Sequence, residues 1–351
     1  MLVCGCASAG FYLQAMAGQI DLWRREVPID RLLSDPALDA NTRAKLELVA
    51  EVIAYAQTEL ALPASGSYRS YADLERDYVV WNVFAAPELE LRPHQSCFVI
   101  AGCLDYRGYF RREHAERYAA QLRGRGFDVF VGGVAAYSTL GWFEDPVLNT
   151  FLAWPEAELV EVLFHEIAHQ RLYVADDTTF NESYATAVAE AGVERWYRSR
   201  QGSAATARAG QQRKREVLAL IGDTRTALEA LYAGDLPDDR KRQAKRTLFA
   251  ELTARYARLR ATGGDTARTD RLMAMEWNNA RIGAFATYHD FVKPFRTLLA
   301  ACGDDFAAFH SAASKLAALD KDLRHSRLRA LATTRHAAAC DAAVASASVS
   351  D

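Results

Sequence analysis

Two histidines four residues apart, with a glutamate directly after the first, form the run His165-Glu166-Ile167-Ala168-His169. On a helix, side chains at i and i+4 lie one turn apart on the same face, so both imidazoles can reach a single metal ion. The Glu166 carboxylate would sit beside that ion without ligating it, where it can take a proton from a water. This is the pattern of zinc peptidases: His165 and His169 as metal ligands, Glu166 as general base, one Zn2+ as cofactor.

The elements that must position these groups are signalled locally. Trp154-Pro155-Glu156-Ala157-Glu158 reads as a helix start, with proline at the first position and carboxylates in the first turn. Leu159, Val162, Leu163 and Ile167 follow at spacings of three and four, an apolar stripe that buries the helix against a core. A buried helix carrying two histidines and a glutamate needs partners for them, and a metal supplies one. After a polar break, Val174 to Thr179, the stretch from Phe180 to Glu190 is alanine-rich and helix-forming, with Asp and Thr available as caps. Ala185 and Ala189 fall near the face of Glu182, and such small residues let this helix approach the first. Glu182 is therefore the candidate third ligand, with Asp176, Asp177 and Glu190 competing. Two histidines and one glutamate leave one position open, as a catalytic zinc requires. The metzincin pattern fails, because Leu172 and Ala175 stand where it needs Gly and His.

Composition limits the alternatives. The 351 residues are 50% hydrophobic and 11% aromatic, enough for a sizeable core and too apolar for global disorder. A net charge of −3 argues against nucleic acid as the main partner. No apolar run is long enough for a membrane-spanning helix. Of six cysteines, Cys4 and Cys6 lie in Val3-Cys4-Gly5-Cys6-Ala7-Ser8, which resembles the end of a bacterial lipoprotein signal, in which the cysteine after glycine is lipidated. Oxidising conditions would follow from export. Cys97 and Cys103 then either pair across a short loop or lie as buried thiols on a strand. For Cys302 and Cys340 pairing stays open.

Along the chain, residues 10–62 read as helices punctuated by Pro28, Pro36 and Pro63. Strands are expected at Tyr78–Phe84, Cys97–Ala101 and Asp128–Val131, the last running on to Tyr137, with a helix over 111–123 between the last two. Residues 203–262 read as two long helices joined near Gly234–Asp238, an antiparallel hairpin whose charged runs are solvated faces. Further helices extend to about 340, and the small residues of 341–351 should fray. The fold class expected is α+β, mostly helical.

Several segments together resemble a family of bacterial predicted aminopeptidases, usually lipoproteins, of the glutamate-ligand zinc peptidase clan. They are Gly5-Cys6-Ala7, Gly66-Ser67-Tyr68-Arg69-Ser70-Tyr71, Cys97 and Cys103 with Tyr106-Arg107-Gly108-Tyr109-Phe110, and Ala136-Tyr137-Ser138-Thr139-Leu140-Gly141. HEIAHQ, Phe180-Asn181-Glu182-Ser183, Trp277-Asn278-Asn279-Ala280 and Thr287-Tyr288-His289 complete the likeness. It implies a zincin-like core of a small mixed sheet plus the HExxH helix. By that division 1–9 is an anchor segment, 10–200 the catalytic core with N-terminal helices, 201–262 the helical hairpin and 263–340 a C-terminal helical part completing the site. It also implies a peptide substrate, a lipid on Cys6 and a periplasm-facing place in the cell envelope. The clan places a Tyr or His C-terminal to the metal site as oxyanion donor, which makes Tyr288 and His289 the catalytic candidates. The clan's cleft-side strand corresponds to Gly132–Gly141, with Tyr137 a substrate-binding candidate. An aminopeptidase must also pair the substrate's ammonium, for which Glu144 or Asp145 is at hand, although turn chemistry explains Asp-Pro equally well. The rivals are a zinc endopeptidase and a non-catalytic envelope protein whose metal is structural and whose hairpin binds a partner.

Overall fold

The structure is a computed structural model that describes all residues except 1–3, 64, 99–101, 137, 140–142, 201–203, 263–269, 271, 334–339 and 341–351, and only the backbone of 4–9, 204–211 and 333. The Cys6 side chain, Tyr137 and the 341–351 tail therefore lie outside the described residues.

In chain order the elements are α1 (Cys4–Arg25), β1 (Glu26–Pro28), α2 (Ile29–Leu33), α3 (Ala40–Glu59), β2 (Ser70–Ala72), β3 (Val80–Pro87), β4 (Ser96–Phe98), β5 (Gly102–Leu104), β6 (Tyr106–Tyr109), α4 (Arg112–Gly124), β7 (Phe127–Val134), β8 (Val147–Leu148) and α5 (Asn149–Leu152). They continue as α6 (Glu156–Arg171), α7 (Thr178–Ser199), α8 (Ala204–Ala233), α9 (Asp238–Arg260), α10 (Asn279–His289), α11 (Val292–Ala301), α12 (Phe306–Ala317) and α13 (Lys321–Thr333). The chain is α+β and mostly helical, with small sheets.

The antiparallel sheet β6-β3-β7 has β3 at its centre. Side chains alternate across a strand, and β3 is apolar on both faces. Val83 and Ala85 pack with Ala115, Ala119 and Leu122 of α4. Phe84 and Ala86 pack with Ala280 and Ala284 of α10. The sheet is thus held between two helices, and β7 is one of its edges. A second sheet, β1-β2-β8, is mixed, and β4 pairs with β5. Cys97 and Cys103 form a disulfide across that pair, and Cys302 pairs with Cys340.

The largest core gathers α3, α6, α7 and α11 to α13. On α6 Leu159, Leu163 and Ile167 of the expected stripe are buried and Val162 is half-buried, with Phe164 buried beside them. α7 is buried almost all round, the behaviour of a helix inside a core. Gly192 shows how close it comes to α6, since a Cβ there would stand 2.7 Å from Phe164 Cδ2 and from Leu60 Cδ1.

α8 and α9 form the expected hairpin, with a separate apolar cluster around Leu228, Leu252 and Trp277. Its charged runs are not solely solvated. Lys245, 9% exposed, donates to Glu88 O at 2.8 Å and to Asp128 Oδ2 at 2.6 Å. Asn279 donates to the carbonyls of Pro87, Glu88 and Glu90 and accepts from Tyr232 Oη. The hairpin is fastened by buried polar contacts to the end of the sheet, and α10 begins at that junction.

The N-terminus of α7 is fixed from the far end of the chain. Asp177 caps it by accepting from Phe180 N at 3.2 Å, and also receives Arg324 Nε at 2.8 Å and His325 Nε2 at 2.9 Å. Asp177 is 1% and Arg324 4% exposed, so removing the carboxylate strands a buried guanidinium. Asp177→Ala should lower unfolding stability by about 3–5 kcal/mol, as read by denaturant titration. A loss below about 1 kcal/mol would show that the ion pair is dispensable.

Candidate metal centre

α6 and α7 bring His165, His169 and Glu182 together. His165 Nε2 lies 3.1 Å from His169 Nε2 and 3.2 Å from Glu182 Oε2, and His169 Nε2 lies 3.5 Å from the same oxygen. With Glu182 ionised, no placement of Nε2 protons satisfies all three edges of this triangle. Each arrangement leaves two acceptors or two donors facing one another. A cation attracts all three lone pairs at once. A tetrahedral centre with bonds of about 2.0–2.1 Å has edges of about 3.3–3.4 Å, which the three distances bracket. The group can therefore hold a metal ion.

Its electrostatics are those of a buried site. Burial opposes ionisation of Glu182, yet the neighbouring imidazoles outweigh it and hold the carboxyl at about 2. Burial likewise works against the charged form of His169, but Glu182 and then Glu166 more than offset it and raise the imidazole. His169 Nδ1 is buried without a hydrogen-bond partner among the described residues.

Glu166 is half-buried beside the ligand residues, and burial raises its pKa against the opposing pull of His165 and His169. Tyr288, from α10, lays its ring on that of His165, with centroids 6.3 Å apart and planes 25° apart. Burial drives its hydroxyl far above the ordinary tyrosine range, helped by Glu182, so it remains a donor. His289 is pulled down to about 3 by burial and by Lys214 and is uncharged at neutral pH.

The competing carboxylates are occupied elsewhere. Asp177 holds Arg324 and His325 as described. Asp176 accepts from Cys103 N at 2.5 Å, so the disulfide hairpin is tied to the loop before α7. Glu190 pairs with Lys214 Nζ at 3.4 Å. Glu144 is exposed and lies against Gly66, where a Cβ would collide with its carboxylate. It is not among the described residues lining the cleft. Its neighbour Asp145 is 2% exposed and accepts from Thr139 N and Ser138 Oγ.

The metal group opens on a cleft of about 2910 Å3. Gly132, Gly133 and Val134 of edge strand β7 form part of its wall, with Glu166, Tyr288 and His289 nearby. Sequence reasoning missed one wall element. Lys214 of α8 reaches Glu161 Oε1 of α6 at 2.5 Å, one turn before His165. Only the spacing of Glu161 from His165 hinted at it; the lysine arrives from a distant segment.

A family model described as "Putative aminopeptidase" matches residues 10–328. The chain belongs to this family. No curated protein and no solved structure matches it. The span assigned to the aminopeptidase family takes in the ligand helices, the hairpin and α10 to α12, and so every residue of the metal group and its surroundings.

Metal binding to the folded state should raise the thermal midpoint, by about 2.7 kcal/mol of added stability at a hundredfold excess over Kd. Glu182→Gln should abolish that rise while leaving the metal-free protein folded. Equal metal-induced shifts in native and variant proteins, followed by scanning calorimetry, would remove Glu182 from the ligand set.

Proposed function

We propose that the chain is a zinc-dependent peptidase with a zincin-like core, acting as an aminopeptidase on peptide substrates. The observation that carries this reading is the triangle of two imidazole nitrogens and one carboxylate oxygen, with Glu166 on the same helix beside it. Family membership supports peptidase chemistry, and the donor set fits zinc, which favours such a mixed nitrogen and oxygen shell in catalytic sites. Three protein ligands suit a catalytic ion better than a structural one, and the carboxylates that would supply a fourth are committed to other partners.

His165, His169 and Glu182 would hold the ion. When bound, it supplies Lewis-acid polarisation and a positive charge near the scissile carbonyl. Glu166 takes a proton from the attacking water and later gives it to the leaving amine. Tyr288 donates a hydrogen bond to the carbonyl oxygen as negative charge develops there. His289, being neutral, can only donate or accept a hydrogen bond. An extended peptide would pair with the Gly132–Val134 end of edge strand β7, which lines the cleft. Lipidation of Cys6 would tether the enzyme to an envelope membrane with its cleft facing the periplasm.

Glu166→Gln should bind zinc as the native protein does and lose about 10²–10⁴-fold in kcat on aminoacyl substrates. A variant that keeps both zinc and full hydrolysis would exclude Glu166 as the base. Equal activity on N-terminally blocked peptides would turn the reading from aminopeptidase to endopeptidase.

A further inference from the structure

The helix α1 presents two faces. Gln14, Gly18 and Leu22, at spacings of four, lie on the packed one. Gln14 Oε1 accepts from Phe110 N at 3.1 Å, a Cβ on Gly18 would collide with the Phe110 ring, and Leu22 is buried. Tyr12, Met16, Ile20 and Trp23, at spacings of four and three, form a second stripe that faces water. Met16 is 61% and Trp23 44% exposed. The first face anchors the helix and leaves the second uncovered.

Residues from elsewhere continue this stripe. Exposed Phe143 sets its ring edge-on to Trp23, with centroids 5.1 Å apart. Thr139 holds the turn that presents it, since its Oγ1 accepts from Phe143 N at 3.1 Å and donates to Phe143 O at 3.0 Å. Exposed Tyr78 lies over Gly133 of β7, where a Cβ would stand 2.5 Å from its Cγ. All six of these apolar side chains line the cleft onto which the metal group opens. Single exposed apolar residues are ordinary, whereas a run of them in a cleft marks a place where an apolar ligand displaces water. The cleft, at about 2910 Å3, exceeds the roughly 300–1,000 Å3 of a small-molecule pocket. It has room for a peptide of several residues. A bilayer, being flat, does not follow a cleft wall; an extended peptide does.

We propose that this stripe is a substrate-binding wall that selects extended peptides carrying bulky apolar side chains along the segment lying in the cleft. The proposal rests on the peptidase reading, because it takes the cleft to be where peptide is cut. Methionine and flat aromatic rings give such a wall a surface that adapts to varied apolar side chains.

The test measures fluorescence anisotropy of two labelled peptides, one alternating alanine with leucine and the other alanine with serine, on the full chain. Chelator is present, so binding is read apart from zinc-dependent cleavage. The native chain should bind the leucine peptide at least about tenfold more tightly, and Met16→Glu and Trp23→Gln should each remove about tenfold of that preference. Thermal midpoints should not move, because both side chains are exposed. Equal affinity for the two peptides, or a preference that both variants keep, overturns the proposal. A lost preference with lowered midpoints in both variants also overturns it, since the stripe would then be holding the fold. Attachment to phosphatidylglycerol vesicles or dimerisation that Met16→Glu abolishes, without any peptide preference, assigns the stripe to a bilayer or a second copy and overturns it too. With the preference present and no hydrolysis on adding zinc, the peptide-binding wall holds and only the peptidase reading falls.

Discussion

Three electron-rich atoms within 3.5 Å of one another, in a site closed to solvent on most sides, form an arrangement that protons cannot satisfy. Burying a carboxylate and two imidazoles costs several kcal/mol each unless something pairs with them. The packing of α6 against α7 makes sense only if something meets that cost. Small residues on α7 allow the close approach, and the apolar stripe on α6 drives it. A cation at the centre of the triangle would turn the least favourable part of the interface into a stabilising one.

Much of the remaining structure keeps that interface in register. Asp177 ties the start of α7 to α13, and Asp176 ties the preceding loop to the Cys97–Cys103 hairpin. Asn279 and Lys245 hold the helical hairpin to the end of the sheet, which sets where α10 begins and so where Tyr288 meets His165. Behind α6, Ser67 and Asp145 fasten the turn before β2 to that helix. Such over-determination suits a site that must hold its groups in place before substrate arrives.

The parts of this legible in the sequence are those encoded by local spacing. His165 and His169 sit one turn apart because the helical period is close to four, and the stripe from Leu159 to Ile167 identifies the helix itself. Glu182 was accessible because its helix follows within a few residues and carries alanines beside it. The hairpin over 203–262 was legible from periodicity and its proline-containing break. Contacts between distant segments were not. Lys214 and Lys245 looked like solvated charges because nothing near them marks Glu161 or Asp128 as partners. Nothing local in the sequence ties the turn at Ser67 and Tyr68 to α6, where Gln170 meets it. Glu144 and Asp145 differ by one position, and only the structure separates the exposed carboxylate from the buried one. The two cysteine pairs were open for the same reason, since pairing depends on where the backbone returns.

The central claim is that this triangle holds one ion and leaves room for chemistry. X-ray absorption on zinc-loaded protein tests it directly. The account predicts one zinc per chain, with two imidazole nitrogens and one carboxylate oxygen at about 2.0–2.2 Å plus one non-protein oxygen. A zinc shell closed by four protein ligands, or a protein that takes up no zinc at all, would contradict it.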